Sequence, residues 1–271
     1  MVMAESAAAL GNPGYGWPRP PAPTTSEPII ILTFSHSGAE ILTEALARSA
    51  LLACTARTGV LPLCEAVAST WQRVERRQHL SALAIASIRS LVTSMAIART
   101  LESGALRWCE TATSGAGSAA TFLKIFPKTK FICFHRRADE VIEEAIANNP
   151  WGFGKTEFWP YSSAEPGNSL AMAGAYWAES SQSILDFQAA QPQACLSLRR
   201  EDLEADAPEQ MRLVWPFLGL TPPDAVIRQR PDPVLTEHGA RPRFPADRLP
   251  PRLRTVINEL HARLGYPPLS A

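Results

Sequence analysis

The run Pro28 to Glu40, PIIILTFSHSGAE, constrains the fold more than any other part of the chain. Ile29 to Thr33 shows no polar alternation, the pattern of a strand covered on both faces in a parallel sheet. The strand breaks into a short Ser/Gly turn and opens a helix from Ser37, with Ile41, Leu42, Ala45, Leu46 and Leu52 recurring at helical spacing. Such a strand–turn–helix presents backbone N–H groups at a helix N-terminus, where phosphate is held. A later run, FPKTKFICFHRRADEV, places a second buried strand over Lys130 to Phe134 and ends it on His135, Arg136 and Arg137.

Between and beyond these runs the pattern alternates strand and helix. Helices are expected over Val67–Arg76, Leu80–Leu101, Ala119–Phe126, Asp139–Ala147, Ala171–Ala190, Met211–Leu218 and Arg252–Leu264, the last with Gly265 as its cap. Short strands are expected over Leu106–Cys109 and Ala194–Leu198. This alternation implies a single α/β domain over residues 28–271, a doubly wound parallel sheet flanked by helices. Residues 1–27 are Ala/Gly/Pro-rich and read as an extended or disordered arm. Asn148 to Ser169 is aromatic, Gly/Pro-rich and aperiodic, the texture of a lid or binding loop.

The totals exclude several classes. Formal net charge is zero, so no basic field invites nucleic acid or an anionic membrane. Cys54, Cys64, Cys109, Cys133 and Cys195 are scattered without ligand-like spacing, which reads as reduced core thiols and favours the cytoplasm. The longest apolar candidate for a membrane span, His79 to Ile97, is interrupted by Arg89 and several serines. The N-terminus lacks the basic and apolar regions of a signal peptide.

The order of motifs resembles the sulfotransferases. That family reads roughly GxPRSGTT, then FPxAxFIxLxRDPxDVxxS, a helix with a Trp, and YEDLxxDP with FLGL. Here the segments stand as TFSHSGAE, FPKTKFICFHRRADEVIEE, AYWAESS around Trp177, and RREDLEADAPEQMRLVWPFLGL, spanning most of Pro28 to Leu220. The resemblance implies a P-loop-like α/β sulfotransferase fold. It also implies transfer of a sulfuryl group from PAPS (3′-phosphoadenosine 5′-phosphosulfate) to a hydroxyl or amine of a small-molecule acceptor. Such chemistry is mostly positioning and charge stabilisation, with a base to remove the acceptor proton.

Carried over by position, the resemblance assigns Ser35, His36, Ser37 and Gly38 to the sulfated phosphate, with His36 where the family has Arg or Lys. The family's two hydroxyl residues fall on Ala39 and Glu40. Its Lys-Thr-Pro falls on Glu110-Thr111-Ala112. Its 3′-phosphate Arg falls on Arg136 and the Ser eight residues on falls on Glu144, while Arg241 or Arg243 would supply a closing cation. His79 or Glu110 would be the base, and Trp151, Phe153, Trp159 and Tyr161 would roof the acceptor. Glu40, Glu110 and Glu144 each stand where the family has a cation or a hydroxyl, which suggests a pocket re-specified away from a multiply anionic nucleotide. His36 with Glu40 and Glu110 would then suit acid/base work or a cationic ligand, or the protein would bind without catalysis. Each residue also has a plainer role: Glu40 as a solvated first-turn acid, Arg136 as an ion-pair arginine, His79 as a surface histidine.

Other chemistries lack their residues. SHSGAE has neither the Lys nor the metal-binding hydroxyl of GxxxxGK[ST]. His36, His79, His135, His238 and His261 do not converge with cysteines at zinc-ligand spacing, so no metal is expected. Ser37 lacks the GxSxG context of a hydrolase nucleophile.

Overall fold

Ile29 to Leu32 are fully buried because helices cover both faces of the strand they form. A computed structural model of the chain describes residues 27–113, 115–163, 166–227 and 245–269. In chain order the elements are β1 (Ile29–Leu32), α1 (Glu40–Ala47), β2 (Leu52–Ala56), α2 (Val60–Glu75), α3 (Ala82–Ser103), β3 (Arg107–Ala112), α4 (Ala116–Ile125) and β4 (Lys130–His135). They continue with α5 (Ala138–Asn148), α6 (Ser169–Ala190), β5 (Cys195–Arg199), α7 (Arg200–Ala205), α8 (Ala207–Leu218), α9 (Asp224–Ile227) and α10 (Pro251–Leu264). The arm expected over residues 1–27 lies outside the described residues except for Glu27.

The five strands are parallel, in the order β2-β3-β1-β4-β5. Strand alternation divides the apolar side chains between two layers. Ile29, Ile31, Ile132 and Phe134 pack with α1, α7 and α8. Ile30, Leu32, Phe131 and Cys133 pack with α2 to α6 and α10. Fully burying one such side chain is worth about 1.5–3 kcal/mol. These layers hold the carboxyl ends of β1, β3 and β4 side by side, and the candidate site is built there.

Three expectations change. The first helix stops at Ala47, and Leu52 belongs to β2, a strand not foreseen because its Leu happened to continue the helical spacing. α2 starts seven residues before the expected Val67, directly after the left-handed Gly59 (φ 73°), because Pro62 is tolerated in a first helical turn. β3 runs on through Glu110, Thr111 and Ala112, which extends a strand into the expected loop. All five cysteines are free thiols; Cys64, Cys109 and Cys133 are buried, and burial pushes the Cys64 thiol up to about 12. By length and composition α3 is apolar enough to cross a membrane, yet one side of it packs on the domain through Ile88 and Val92.

Candidate functional site

After β1 the chain turns through two left-handed residues, His36 (φ 63°) and Gly38 (φ 70°). His36 has a Cβ, so the conformation costs about 1–2 kcal/mol and must be held from outside. Two contacts hold it. Its carbonyl accepts from Arg136 Nη1 at 2.7 Å, and its ring stacks on Phe158 with centroids 5.8 Å apart and planes 20° from parallel. Ser35 N–H donates to the Tyr176 hydroxyl at 3.0 Å, and Ser37 N–H to the Phe34 carbonyl at 3.3 Å. The N–H groups of His36, Gly38 and Ala39 make no hydrogen bond among the described residues. Ala39, the N-cap of α1, gives no side-chain cap, so these donors remain open at a helix N-terminus.

Gly38 is required here for a second reason. A Cβ on it would lie 2.2 Å from Arg200 Nη1. Arg200 is buried, with its Nε donating to Glu204 at 2.7 Å. It directly precedes Glu-Asp-Leu, where the resembled pattern has Tyr, and that substitution was its one visible signal in the sequence.

Arg136 is wholly buried at the end of β4. Its Nε donates to Glu140 at 3.1 Å, its Nη1 bonds Glu144 as well as the His36 carbonyl, and its Nη2 has no partner among the described residues. Its own carbonyl accepts from Trp177 Nε1 at 2.9 Å. Burial would lower the guanidinium; Glu144 and then Glu140 outweigh that and raise it. Burial likewise would raise Glu144, but His36, whose Nδ1 is 3.7 Å away, and Arg136 hold the carboxyl down at about 2. The arginine expected to face a phosphate is instead matched by two carboxylates of α5.

The segment after α5 folds back on this turn. Phe153 and Phe158 are buried against each other at 4.4 Å, and Phe158 meets Tyr176 edge-on at 4.9 Å. Tyr161 donates to Glu179 at 2.8 Å. Trp151 is 99% exposed, and Trp159 is also exposed. None of the four aromatics expected to roof an acceptor lines the cleft described below. Phe158 and Tyr176, which carry the contact with the turn, were not singled out, because nothing local marks them.

A cleft of about 220 Å³ opens on the other side of the turn, between α1 and the ends of β2 and β3. Thr33, Phe34, Ala39 and Ala56 contribute its less polar wall, Thr43, Thr111 and Thr113 its hydroxyls, and Glu40, Glu44 and Arg57 its charges; His36 and Ser37 complete it. The Thr43 and Thr111 hydroxyls are 2.8 Å apart, and exposed Glu40 lies 3.9 Å from Arg57.

Two expected bases are elsewhere. Glu110 has no exposed surface and points to the opposite face of the sheet, where it accepts from the Thr55 hydroxyl and from the Thr58 N–H (2.7 Å) and hydroxyl (2.8 Å). Exposed His79 follows α2, whose 16 residues carry the chain about 24 Å away from the cleft residue Arg57. Arg241 lies outside the described residues. Among the described residues no three His, Cys, Asp or Glu side chains group as a metal site.

The match to the sulfotransferase family model covers residues 28–224. No curated protein matches the chain. Among solved structures, the sulfotransferase domain from the curacin biosynthetic pathway is 19% identical, with a TM-score of 0.57 over 88% of this chain and 97% of that one. The sulfotransferase domain from the Synechococcus PCC 7002 olefin synthase is 17% identical, with a TM-score of 0.55 over 92% and 98%. A sulfotransferase from Mycobacterium avium is 14% identical, with a TM-score of 0.57 over 92% and 79%. At such identities the structural likeness speaks for the fold.

Proposed function

The chain belongs to the sulfotransferase family, and we propose that it transfers a sulfuryl group from PAPS to a hydroxyl or amine of a small-molecule acceptor. The observation that carries this reading is the open N–H set of His36, Gly38 and Ala39 at the start of α1, beside a cleft of about 220 Å³. Donors fixed in a turn stabilise charge on a leaving phosphate oxygen without reorganising. In this reading the acceptor occupies the cleft, its oxygen or nitrogen bonds to sulfur, and the bond from sulfur to the phosphate oxygen breaks. The acceptor proton passes to Glu40, the cleft carboxylate nearest the turn in sequence. The Thr43, Thr111 and Thr113 hydroxyls orient the acceptor.

A second reading, loss of PAPS use, rests on Arg136. Its Nε and Nη1 are taken by Glu140, Glu144 and the His36 carbonyl, and only the buried Nη2 is left, so a 3′-phosphate at this arginine would meet two carboxylates. The open N–H groups of the turn support binding of the donor's phosphosulfate end, and the carboxylates around Arg136 weigh against binding of its 3′-phosphate. Calorimetric titration with PAP, the desulfonated product of PAPS, separates the two. Micromolar binding supports the transferase, and no binding at millimolar PAP overturns it in favour of the second reading.

A further inference from the structure

Arg136 and Arg200 are the two buried arginines among the described residues, and both stand on one flank of the turn. Arg199 is in register with His135, so the chain leaves β4 and β5 at the same level with an arginine next in each. The strand order β2-β3-β1-β4-β5 sets both on the β4–β5 side of β1, whereas the cleft opens on the β3 side. The two differ in how much of their charge is spoken for. Arg136 meets Glu140 and Glu144 and keeps only a sealed Nη2. Arg200 meets one carboxylate, Glu204, through Nε at 2.7 Å, and that carboxylate is 43% exposed, so water shares it. Its Nη1 and Nη2 have no partner among the described residues, and neither is sealed from solvent. The N–H donors of both are therefore free on a side chain that is only 6% exposed.

Those donors lie against the turn. A Cβ on Gly38 would stand 2.2 Å from Nη1, 2.7 Å from Cζ and 3.1 Å from Nε, so the guanidinium runs along the Gly38 backbone. That Cβ is joined to the Gly38 nitrogen through Cα, which puts Nη1 within about 5 Å of the nitrogen. The Gly38 N–H is open, together with those of His36 and Ala39. One phosphate oxygen accepting at about 2.9 Å from each of two donors bridges such a gap. His36, the basic side chain of the turn itself, cannot take this part. Its ring is stacked on Phe158, and its Nδ1 faces Glu144 at 3.7 Å and Asn148 at 3.5 Å.

We propose that Arg200 is the cation of the turn: it binds the anion held by the N–H groups of His36, Gly38 and Ala39 and takes up the charge that grows on the leaving phosphate oxygen. The inference rests on the reading of the chain as a transferase that uses PAPS. When the acceptor bonds to sulfur, both electrons of the broken sulfur–oxygen bond stay on the phosphate oxygen. A buried guanidinium already in place beside that oxygen stabilises the charge without reorganising. The donor phosphates then lie on the β4–β5 flank and the acceptor on the β3 flank, with the turn between them.

Calorimetric titration of the full-length protein with PAP, and separately with inorganic pyrophosphate, tests this. Arg200→Gln is expected to weaken PAP binding about thirtyfold, the loss of a charge-assisted bond. Arg200→Lys keeps the charge without the planar fork and is expected to weaken it about fivefold. Glu204→Gln, at an exposed carboxylate, removes the charge that competes with the anion and is expected to tighten PAP about threefold. An arginine that only props Gly38 would give no such gain, and this variant carries the test if Arg200→Gln does not fold. Wild-type affinity in Arg200→Gln, or an unchanged or weaker affinity in Glu204→Gln, overturns the proposal and leaves the transferase reading standing. Pyrophosphate binding that Arg200→Gln weakens, in a protein that does not bind PAP, keeps Arg200 as the cation of the turn and overturns the transferase reading. A wild-type protein that binds neither anion overturns both.

Discussion

Glu144 reaches back two turns along α5 to the guanidinium of Arg136, and the pair closes the end of β4 that the family pattern turns toward a phosphate. The closure is electrostatic, since a wholly buried arginine is matched by Glu144 and, at 3.1 Å, by Glu140. Glu144→Ser restores the residue type of the family pattern and releases one Nη1 contact. PAP affinity measured by calorimetry is expected to rise at least about tenfold, equivalent to about 1.4 kcal/mol. An unchanged or weaker affinity would show that Glu144 does not compete with the ligand.

Stability should fall in two stages on acidification. His135 is fully buried, with Nε2 2.9 Å from Gln188 Oε1, and burial pushes it down to about 4 against the pull of Gln188. Above about pH 6.5 both folded and unfolded chains carry it neutral; below that only the unfolded chain binds the proton. The contribution is therefore complete above pH 6.5, shrinks by roughly 3 kcal/mol toward pH 4, and then levels off. Glu144, held at about 2 against an ordinary 4.5, contributes above pH 4.5 and loses its share between 4.5 and 2. Buried His261 is also pushed down by burial and adds to the first stage, so urea midpoints across this range are expected to show a smaller first stage in His135→Gln and to lose the second in Glu144→Gln. An unaltered slope in either variant counts against its assignment.

Glu110 holds three donors from β2 and the residues after it, so its removal is expected to act on stability rather than on ligand. Glu110→Ala leaves the Thr55 hydroxyl and both Thr58 donors without their acceptor, a cost of roughly 2–4 kcal/mol. Glu110→Gln keeps the volume and one acceptor oxygen and should cost less. Urea unfolding beside PAP titration checks this. A Gln variant of full stability that has lost binding would return Glu110 to the ligand site.

What was legible in the sequence was local. The apolar runs of β1 and β4 announce buried strands because every residue in them is covered on both faces. Phe217-Leu218-Gly219-Leu220 announces a helix end, and Gly219 is left-handed (φ 67°) with Leu220 N–H returning to the Trp215 carbonyl. The site was legible only at its turn. Glu140 stands four residues after Arg136, a spacing visible in the sequence, but it matters because Arg136 is buried, which is a tertiary fact. Phe158 and Tyr176 reach the turn from more than a hundred residues away, and no periodicity records that contact. Glu110 and Thr111 are neighbours in one strand, and only the parity of β3 decides which of them faces the cleft.

The contact between Gly38 and Arg200 offers the sharpest test of the turn. Gly38→Ala meets two separate costs. The left-handed backbone (φ 70°) costs about 1 kcal/mol for any residue with a Cβ. The new methyl would lie 2.2 Å from Arg200 Nη1 and 2.7 Å from its Cζ, and the buried guanidinium is held by Glu204, so it cannot swing clear without breaking that pair. In the native background the total is expected to reach roughly 2–3 kcal/mol, a fall in melting temperature of about 4–12 °C at 2–4 °C per kcal/mol for a chain of this size. In an Arg200→Ala background only the backbone cost remains, and the same substitution should lose about 1 kcal/mol. This double-mutant cycle isolates the steric contact from the strain of the turn. Equal losses in the two backgrounds would mean that Arg200 does not press on the turn, and that the glycine is needed for its φ alone.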